Sequence, residues 1–426
     1  MSYSNLAPRL AAIISIALAC VASVAHGLEA GPALTLAEAE QRALELDPVV
    51  SQLEAQGAAF SERAVAEAQL PDPELSIGLA EVPLDDFDLS DHEDTEIRLG
   101  LSQAFPAGRT RHFEGERMEA MAGAERARIL DRRRQVVRDV RNAYVKLYFE
   151  QEAGRVLERN RDLFEELVEI TERQYAQGRD AQHEVTRAQL ELSLVEDRIE
   201  QAGAAIETAR AELAGWIGSE LAARPQASGE PELPALGAGD PGNALARHPV
   251  LAVEDQAIEA ARRSVRIAEE QYKPSWMLDF MISENTAGDY DQQTGPDFAG
   301  VFLRVSLPVF TDKRQDRRLA ASKQEATAAV FSRADRLREL TRRFEIERAT
   351  LSRLERRIEL YRKRASVEAE QAQEAAFSAY RNDLADFETL VRTRALSLET
   401  ELELLRLRAA SLESRAAILY LAGEPS

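Results

Sequence analysis

The chain has 426 residues, which is enough for one to three domains with sizeable cores. Hydrophobic residues make up 45% of it and charged residues 30%, so the composition excludes a disordered chain. The formal net charge of −21 argues against a broad nucleic-acid-binding surface, because phosphate backbones are bound mainly by Lys and Arg.

The N-terminus has the pattern of a secretory signal peptide. Arg9 precedes an apolar run from Leu10 to Val24, and small residues follow that run. We therefore predict a signal peptide over residues 1–27. The single cysteine, Cys20, offers an alternative cleavage site, at which an acylated N-terminus would anchor the chain to a membrane. Beyond this leader no run of about 20 apolar residues occurs, so a transmembrane helix is excluded.

The mature sequence consists of two copies of one pattern. The segment from Ala43 to Val49 is similar to the segment from Ala244 to Val250, and other similar pairs recur at an offset near 200. We therefore predict a first structural repeat over residues 28–224 and a second over residues 244–426. The Pro- and Gly-rich residues 225–243 form the predicted connector.

Each repeat is predicted to contain an opening helix, two strands and two long helices. In the first repeat the opening helix covers about residues 36–70, and period-two alternation predicts strands near residues 75–80 and 96–101. Residues 109–177 contain no Pro and have an apolar seam with coiled-coil spacing, which predicts one long helix. A second helix then returns over residues 181–213.

The second repeat follows the same order. Alternation is clearest over residues 276–283 and 301–307, where each strand has one apolar and one polar face. Long helices are predicted over residues 314–379 and 383–421. The fold class is therefore mixed but mainly α, with four short strands in each chain.

The four strands impose a condition on assembly. Strands of roughly ten residues have the length that crosses a bilayer, but the smallest barrels need eight strands. Open strand edges are not tolerated in lipid, because unpaired backbone groups are costly there. Strands that cross a membrane would therefore form an antiparallel β-barrel shared by three chains, twelve strands in all, continuous with a coiled-coil helical barrel. The alternative is a soluble sheet with scaffold helices.

Several segments resemble the outer membrane efflux protein family, the TolC-like channels. They are Ala43 to Val49 with its repeat, Pro71 to Leu75, Gln103 to Arg109, and the tip segment Tyr175 to Arg179. The resemblance covers nearly the whole mature chain. It implies a homotrimer in outer membrane lipid, with its helical barrel extending into the periplasm, bound to a periplasmic adaptor protein and an inner membrane pump.

The segments Pro71 to Leu75 and Phe105 to Arg109 look most like the branch that serves heavy-metal pumps of the resistance-nodulation-division type. The resemblance implies a channel of a tripartite efflux system, which passively conducts exported substrates, heavy-metal cations among them. It implies no catalysis, no cofactor and no nucleic-acid partner, and the sequence has no catalytic constellation. The alternatives are a soluble periplasmic coiled-coil adaptor or scaffold, and a protein-secretion conduit.

The resemblance also implies two periplasmic tip turns that contact the adaptor. The first contains Gly178 and Arg179, and the second contains Tyr380 and Arg381. Tyr380 departs from the family, in which a Gly is usual at this position, so the shape of the second turn is expected to differ.

Three acidic residues near these turns are candidates for a pore constriction. Asp386 matches the family's acidic position, Glu184 is interpreted as its equivalent in the first repeat, and Asp383 lies one turn earlier. Three copies of each would form a negative ring that favours cations. The competing interpretation is that these acids stabilise helix N-termini through the macrodipole.

Methionine pairs are the remaining candidates for binding chemistry. Met277 and Met281 fall on the polar face of a strand, and Met118 and Met121 lie three residues apart on a helix. Thioethers favour Cu(I), whereas Met more commonly fills irregular gaps in packing. The sequence therefore predicts no metal site, with Met277 and Met281 kept as candidates.

Overall fold

The structure is a computed structural model. It describes residues 33–82, 95–178, 181–237, 240–285, 297–382 and 384–423. The predicted signal peptide, Cys20, Arg179 and Asp383 lie outside the described residues.

The elements follow the same order in both halves of the chain. The first half contains α1 (Leu36–Leu46), α2 (Pro48–Glu67), β1 (Glu74–Ala80), β2 (Glu96–Phe105), α3 (Thr110–Ala176), α4 (Gln182–Ile217) and the short α5 (Ser219–Ala222). The second contains α6 (Pro241–Ala246), α7 (Pro249–Glu270), β3 (Ser275–Asn285), β4 (Phe298–Ser306), α8 (Gln315–Leu360), a π-helical segment (Tyr361–Ala365), α9 (Ser366–Arg381) and α10 (Phe387–Ala422). The mainly helical fold is confirmed, with four strands among the described residues, whereas the predicted repeat boundaries stay a prediction.

Two predicted helices are interrupted. The opening helix is divided into α1 and α2, because Pro48 disfavours a helical conformation in the residue before it, and Asp47 is extended. The helix predicted over residues 314–379 is interrupted by the π-helical segment Tyr361–Ala365. Such segments are rare and are frequently found at functional sites. Apolar periodicity alone predicted neither interruption.

The chain divides into two compact units, and each unit draws on both halves of the sequence. Among the described residues, the helical unit takes those up to Asp47, Val136–Pro234 and Arg348–Ala417. The sheet unit takes Pro48–Gln135, Ala235–Glu347 and the residues from Ile418 onward. None of the helices within the described ranges has the length and apolar character needed to cross a membrane.

The core of the helical unit contains the seam predicted on α3. Val136, Val140 and Leu147 are at most 1% exposed. Leu34 belongs to the same cluster, and the Tyr144 hydroxyl donates a 2.8 Å hydrogen bond to its carbonyl oxygen. Full burial of a Val or Leu side chain contributes about 1.5–3 kcal/mol. This cluster therefore holds the segment before α1 against α3.

The sheet unit contains one antiparallel sheet with the strand order β1-β2-β3-β4. Leu75 pairs with Leu101, Leu101 pairs with Phe280, and Phe280 pairs with Val301. This register brings the apolar residues of all four strands onto the same face. A shift of one residue would exchange the faces, so the observed pairing confirms the faces predicted from alternation.

A glycine permits the tight connection from β2 to α3. Gly108 has φ +52°, and a Cβ at this position would collide with the Glu270 carboxylate. Glu270 accepts a 2.6 Å hydrogen bond from the Arg109 backbone N–H and is also paired with Lys273 at 2.7 Å. The Gly-Arg part of the predicted motif therefore allows a buried carboxylate on α7 to approach the start of α3.

Candidate functional sites on the sheet and at the helix tips

One face of the sheet consists of large apolar side chains that are exposed to solvent. They are Leu75, Ile77, Leu79, Ile97, Leu99, Leu101, Trp276, Leu278, Phe280, Ile282, Val301 and Leu303. We call this set the apolar face. Its members are all more than 40% exposed. A continuous apolar surface of this kind is typical of a site that binds a protein or a membrane.

The opposite face of the sheet carries most of its charged and polar side chains, together with Phe298, Phe302 and two methionines. Ser102 donates a 2.6 Å hydrogen bond to Asp279, and Arg304 lies 3.5 Å from the same carboxylate. On β2, Arg98 donates a 2.9 Å hydrogen bond to Glu96. The sheet therefore has one face suited to an apolar environment and one face that presents charged groups.

The methionine candidates on β3 lie on this polar face. Arg304 donates a hydrogen bond to the Met277 sulfur at 3.3 Å, so this sulfur already has a partner. Met281 pairs with Gly100 and Gly300 on the neighbouring strands. Within the described ranges there is also no group of three or more His, Cys, Asp or Glu side chains that could hold a metal ion.

The first tip turn ends α3 with a glycine in the left-handed conformation. Gly178 has φ +71°, and its N–H donates a 2.9 Å hydrogen bond to the Tyr175 carbonyl. A Cβ on Gly178 would meet no atom within 4 Å, so the backbone conformation requires the glycine and crowding does not. The predicted turn at Gly178 is present, and its surface is exposed.

The second tip differs from the expectation. Tyr380 lies in the last turn of α9, and its side chain is only 4% exposed. Its hydroxyl donates a 2.7 Å hydrogen bond to Gln174 on α3, and its ring packs against Phe387 at 6.0 Å between centroids. Tyr380 is therefore part of the tip core, whereas Arg381 is exposed and its guanidinium lies over the Phe377 ring.

The two acidic candidates occupy different helix positions. Asp386 directly precedes α10, and its carboxylate accepts a 2.9 Å hydrogen bond from the Thr389 N–H. Hydrogen bonding to Thr389, through its side chain and its backbone, lowers the pKa of Asp386. Glu184 is instead the third residue of α4, whose cap position is held by Ala181. Both acids therefore lie near helix N-termini, as the helix-terminus interpretation expects. The residue of the first repeat that occupies the same cap position as Asp386 is Ala181, not Glu184.

Sequence reasoning missed a charged residue in the tip core. Arg394 on α10 is 7% exposed, and burial lowers its pKa while Glu166 raises it. It continues the buried stripe of Leu390, Val391 and Leu398 on the same helix. Its place in that stripe was the only sequence signal, since a charged residue at an apolar position breaks the periodic pattern.

A match to a protein family relates part of the chain to known proteins. Residues 39–219 match the model of the outer membrane efflux protein family. The resemblance inferred from the sequence motifs is therefore confirmed. No curated protein matches the chain.

Solved structures of channels share the fold. The outer-membrane channel OprN matches with a TM-score of 0.77 at 19% identity, over 92% of this chain and 90% of the other. The outer membrane protein VceC from Vibrio cholerae matches with a TM-score of 0.75 at 20% identity, over 91% and 96%. CusC, described for its transmembrane channel formation, matches with a TM-score of 0.76 at 16% identity, over 92% and 93%. The predicted TolC-like fold is thus confirmed.

Proposed function

We propose that this chain, whose residues 39–219 match the outer membrane efflux protein family, forms a trimeric channel in the outer membrane. The apolar face of the sheet is the observation that carries the proposal. Monomeric soluble proteins rarely expose contiguous apolar patches larger than a few hundred Å². A lipid environment would stabilise this face by about 25 cal/mol for each Å² removed from water.

The ends of the sheet support a trimer. β1 and β4 are its two edge strands, and each leaves one row of backbone groups without a strand partner among the described residues. Such edges are not tolerated in lipid. Three chains that pair β1 of one with β4 of the next would close a barrel of twelve strands, with the polar face towards the lumen.

The tips supply the proposed gate. We assign the exposed turn at Gly178, with Arg179 and Arg381, to contact with a periplasmic adaptor. Asp386, Glu184 and Asp383 would narrow the pore near the same end, where negative charge favours cations. Tyr380 is assigned a different role: it holds α9 against α3, because its hydroxyl bonds to Gln174 and its ring is buried.

The channel would conduct passively and carry out no bond chemistry. An inner membrane pump of the resistance-nodulation-division type would supply the substrate, and docking of the pump complex would open the helix tips. We propose heavy-metal cations as the substrate class. The motifs Pro71 to Leu75 and Phe105 to Arg109 support this branch through their resemblance to channels that serve such pumps.

Membrane fractionation with a mass measurement tests the proposal. The protein is expected in the outer membrane, to need detergent for extraction, and to have the mass of three chains by light scattering after correction for detergent. The purified trimer is then expected to conduct ions in planar bilayers. A protein that is released from the periplasm without detergent, as in the rival adaptor or scaffold role, would overturn the proposal.

A further inference from the structure

We propose that a cavity in the sheet unit binds a soft monovalent cation, such as Cu(I) or Ag(I), through Met118, Met121 and Glu125. The cavity has a volume of about 520 Å³ and lies between α3 and α7.

The three proposed ligands lie on one face of α3. Residues three or four positions apart on a helix are neighbours, with about 5–6 Å between their Cβ atoms. Met118 and Met121 are three positions apart, and Glu125 follows four positions later. All three line the cavity, and Gln256 and Ala260 of α7 line its other side. About two turns of helix thus place two methionines and one glutamate along the same cavity.

Glu125 is the observation that points to a ligand. The residue is 4% exposed, and one carboxylate oxygen is paired with Arg128. The other oxygen is buried and has no hydrogen-bond partner among the described residues. An unsatisfied buried polar atom costs about 1–3 kcal/mol, and more when it carries charge. A cation in the cavity would satisfy this oxygen.

The charges and the donor atoms of the cavity select the type of cation. Its lining contains two carboxylates, Glu125 and Glu325, and two guanidiniums, Arg117 and Arg128, so its formal charge is zero. A neutral lining tolerates a single positive charge better than two. Thioether ligands favour soft ions such as Cu(I) over hard ones such as Mg²⁺. A soft monovalent cation fits both conditions.

The chain contains its own control for this site. Apart from Met1, its methionines form two pairs, Met118 with Met121 and Met277 with Met281. The second pair lies on β3, where Arg304 donates a hydrogen bond to the Met277 sulfur. Leu has nearly the volume of Met, and such exchanges usually cost under about 1.5 kcal/mol. Both pairs can therefore be replaced by Leu in matched variants.

Calorimetric titration with Ag(I) in chloride-free buffer tests the proposal on the detergent-purified full-length protein. We expect one Ag(I) per chain at this site. M118L/M121L should weaken binding by about tenfold or more, E125Q should weaken it less, and M277L/M281L should leave it unchanged. Circular dichroism and the trimer mass of each variant establish that it is folded. Unchanged affinity in folded M118L/M121L would overturn the proposal.

X-ray absorption at the silver edge provides a second readout. Sulfur neighbours are expected around Ag(I) in the parent and in M277L/M281L, and a shell of only oxygen and nitrogen in the parent would contradict the site.

The proposal rests on the proposed heavy-metal role, but it is tested by equilibrium binding and not by conduction. A chain that binds Ag(I) through these residues without conducting ions would keep the site and refute the channel. The converse result would refute the site alone.

Discussion

Tyr380 donates a 2.7 Å hydrogen bond to Gln174, and this bond joins the last turn of α9 to the last turns of α3. The two residues are 206 positions apart in the sequence. The Tyr380 ring also packs in a buried cluster with Phe164, Leu390 and Val391. The contact therefore closes the tip of the helical unit from within, in the region where the proposed channel must open.

Loss of this bond should ease opening. Replacement Tyr380→Phe removes the hydroxyl and keeps the ring, so it tests the hydrogen bond without emptying the core. A neutral hydrogen bond contributes about 1 kcal/mol, which corresponds to roughly a fivefold change in the ratio of open to closed channels. Single-channel recording in planar bilayers measures this ratio. Q174A should have the same effect, and the Q174A/Y380F double variant should add little to either. Additive effects would show that the two side chains act independently.

The two faces of the sheet should respond differently to charge. Leu99 is on the apolar face, and an Arg near the bilayer midplane costs about 2–4 kcal/mol. We expect Leu99→Arg to block assembly, since each trimer would carry three such residues. Arg98→Ala, on the polar face, should assemble normally. The yield of trimer in the outer membrane is the measurement, and equal yields for both variants would mean that the assigned faces are wrong.

The charge of the tip acids should control block by cations. Asp386 also caps α10 through Thr389, so an Ala substitution would remove a helix cap together with the charge. Asn keeps a capping oxygen and lacks the charge. We therefore expect D386N/E184Q to retain its helical content by circular dichroism but to be blocked much less by divalent cations added on the periplasmic side. Equal block of D386N/E184Q and the parent would exclude the acidic gate, although another ring could still close the tube.

Stability near pH 6 should depend on His248. Its side chain is buried, its Nδ1 accepts a 3.3 Å hydrogen bond from the Val250 N–H, and its Nε2 lies 3.2 Å from the Tyr420 carbonyl oxygen. Burial lowers the pKa of His248. The charge of Asp131 acts to raise this pKa, whereas the charge of Arg134 lowers it further. Protonation would place a hydrogen on Nδ1, and the cap of α7 would then lose its acceptor.

The sign of the pH effect follows from this lowered pKa. The unfolded chain, with an ordinary His pKa of 6.5, takes up a proton before the folded chain does. His248 therefore contributes stability above pH 6.5 that is lost as the pH falls towards the pKa of the folded state. His248→Asn keeps a capping side chain and cannot titrate, so its melting temperature should fall less below pH 6.5. His112→Asn replaces a partly exposed histidine whose Nε2 lies 3.2 Å from the Glu116 carboxylate, and it is the control that should behave like the parent.

The strand faces and the helical seams were predictable because they depend on local periodicity. A strand alternates its side chains with a period of two, so Leu99 and Arg98 must lie on opposite faces whichever strand they pair with. The seam of Val136, Val140 and Leu147 likewise follows from spacing along one helix. The tip glycine, Gly178, was predictable from its motif, since few other residues adopt a positive φ readily.

Contacts between distant segments were decided only by the tertiary structure. The position of Tyr380 in the motif assigns it to a turn. The residue is nevertheless buried, because Gln174 and Phe387 pack against it. Neither neighbour is recognisable from local sequence. Glu125 gives no sign in the sequence that one of its oxygens is buried without a hydrogen-bond partner. Periodicity determines which way a side chain points from its own helix or strand. What it meets there depends on which other elements pack against that face, and packing depends on the whole chain.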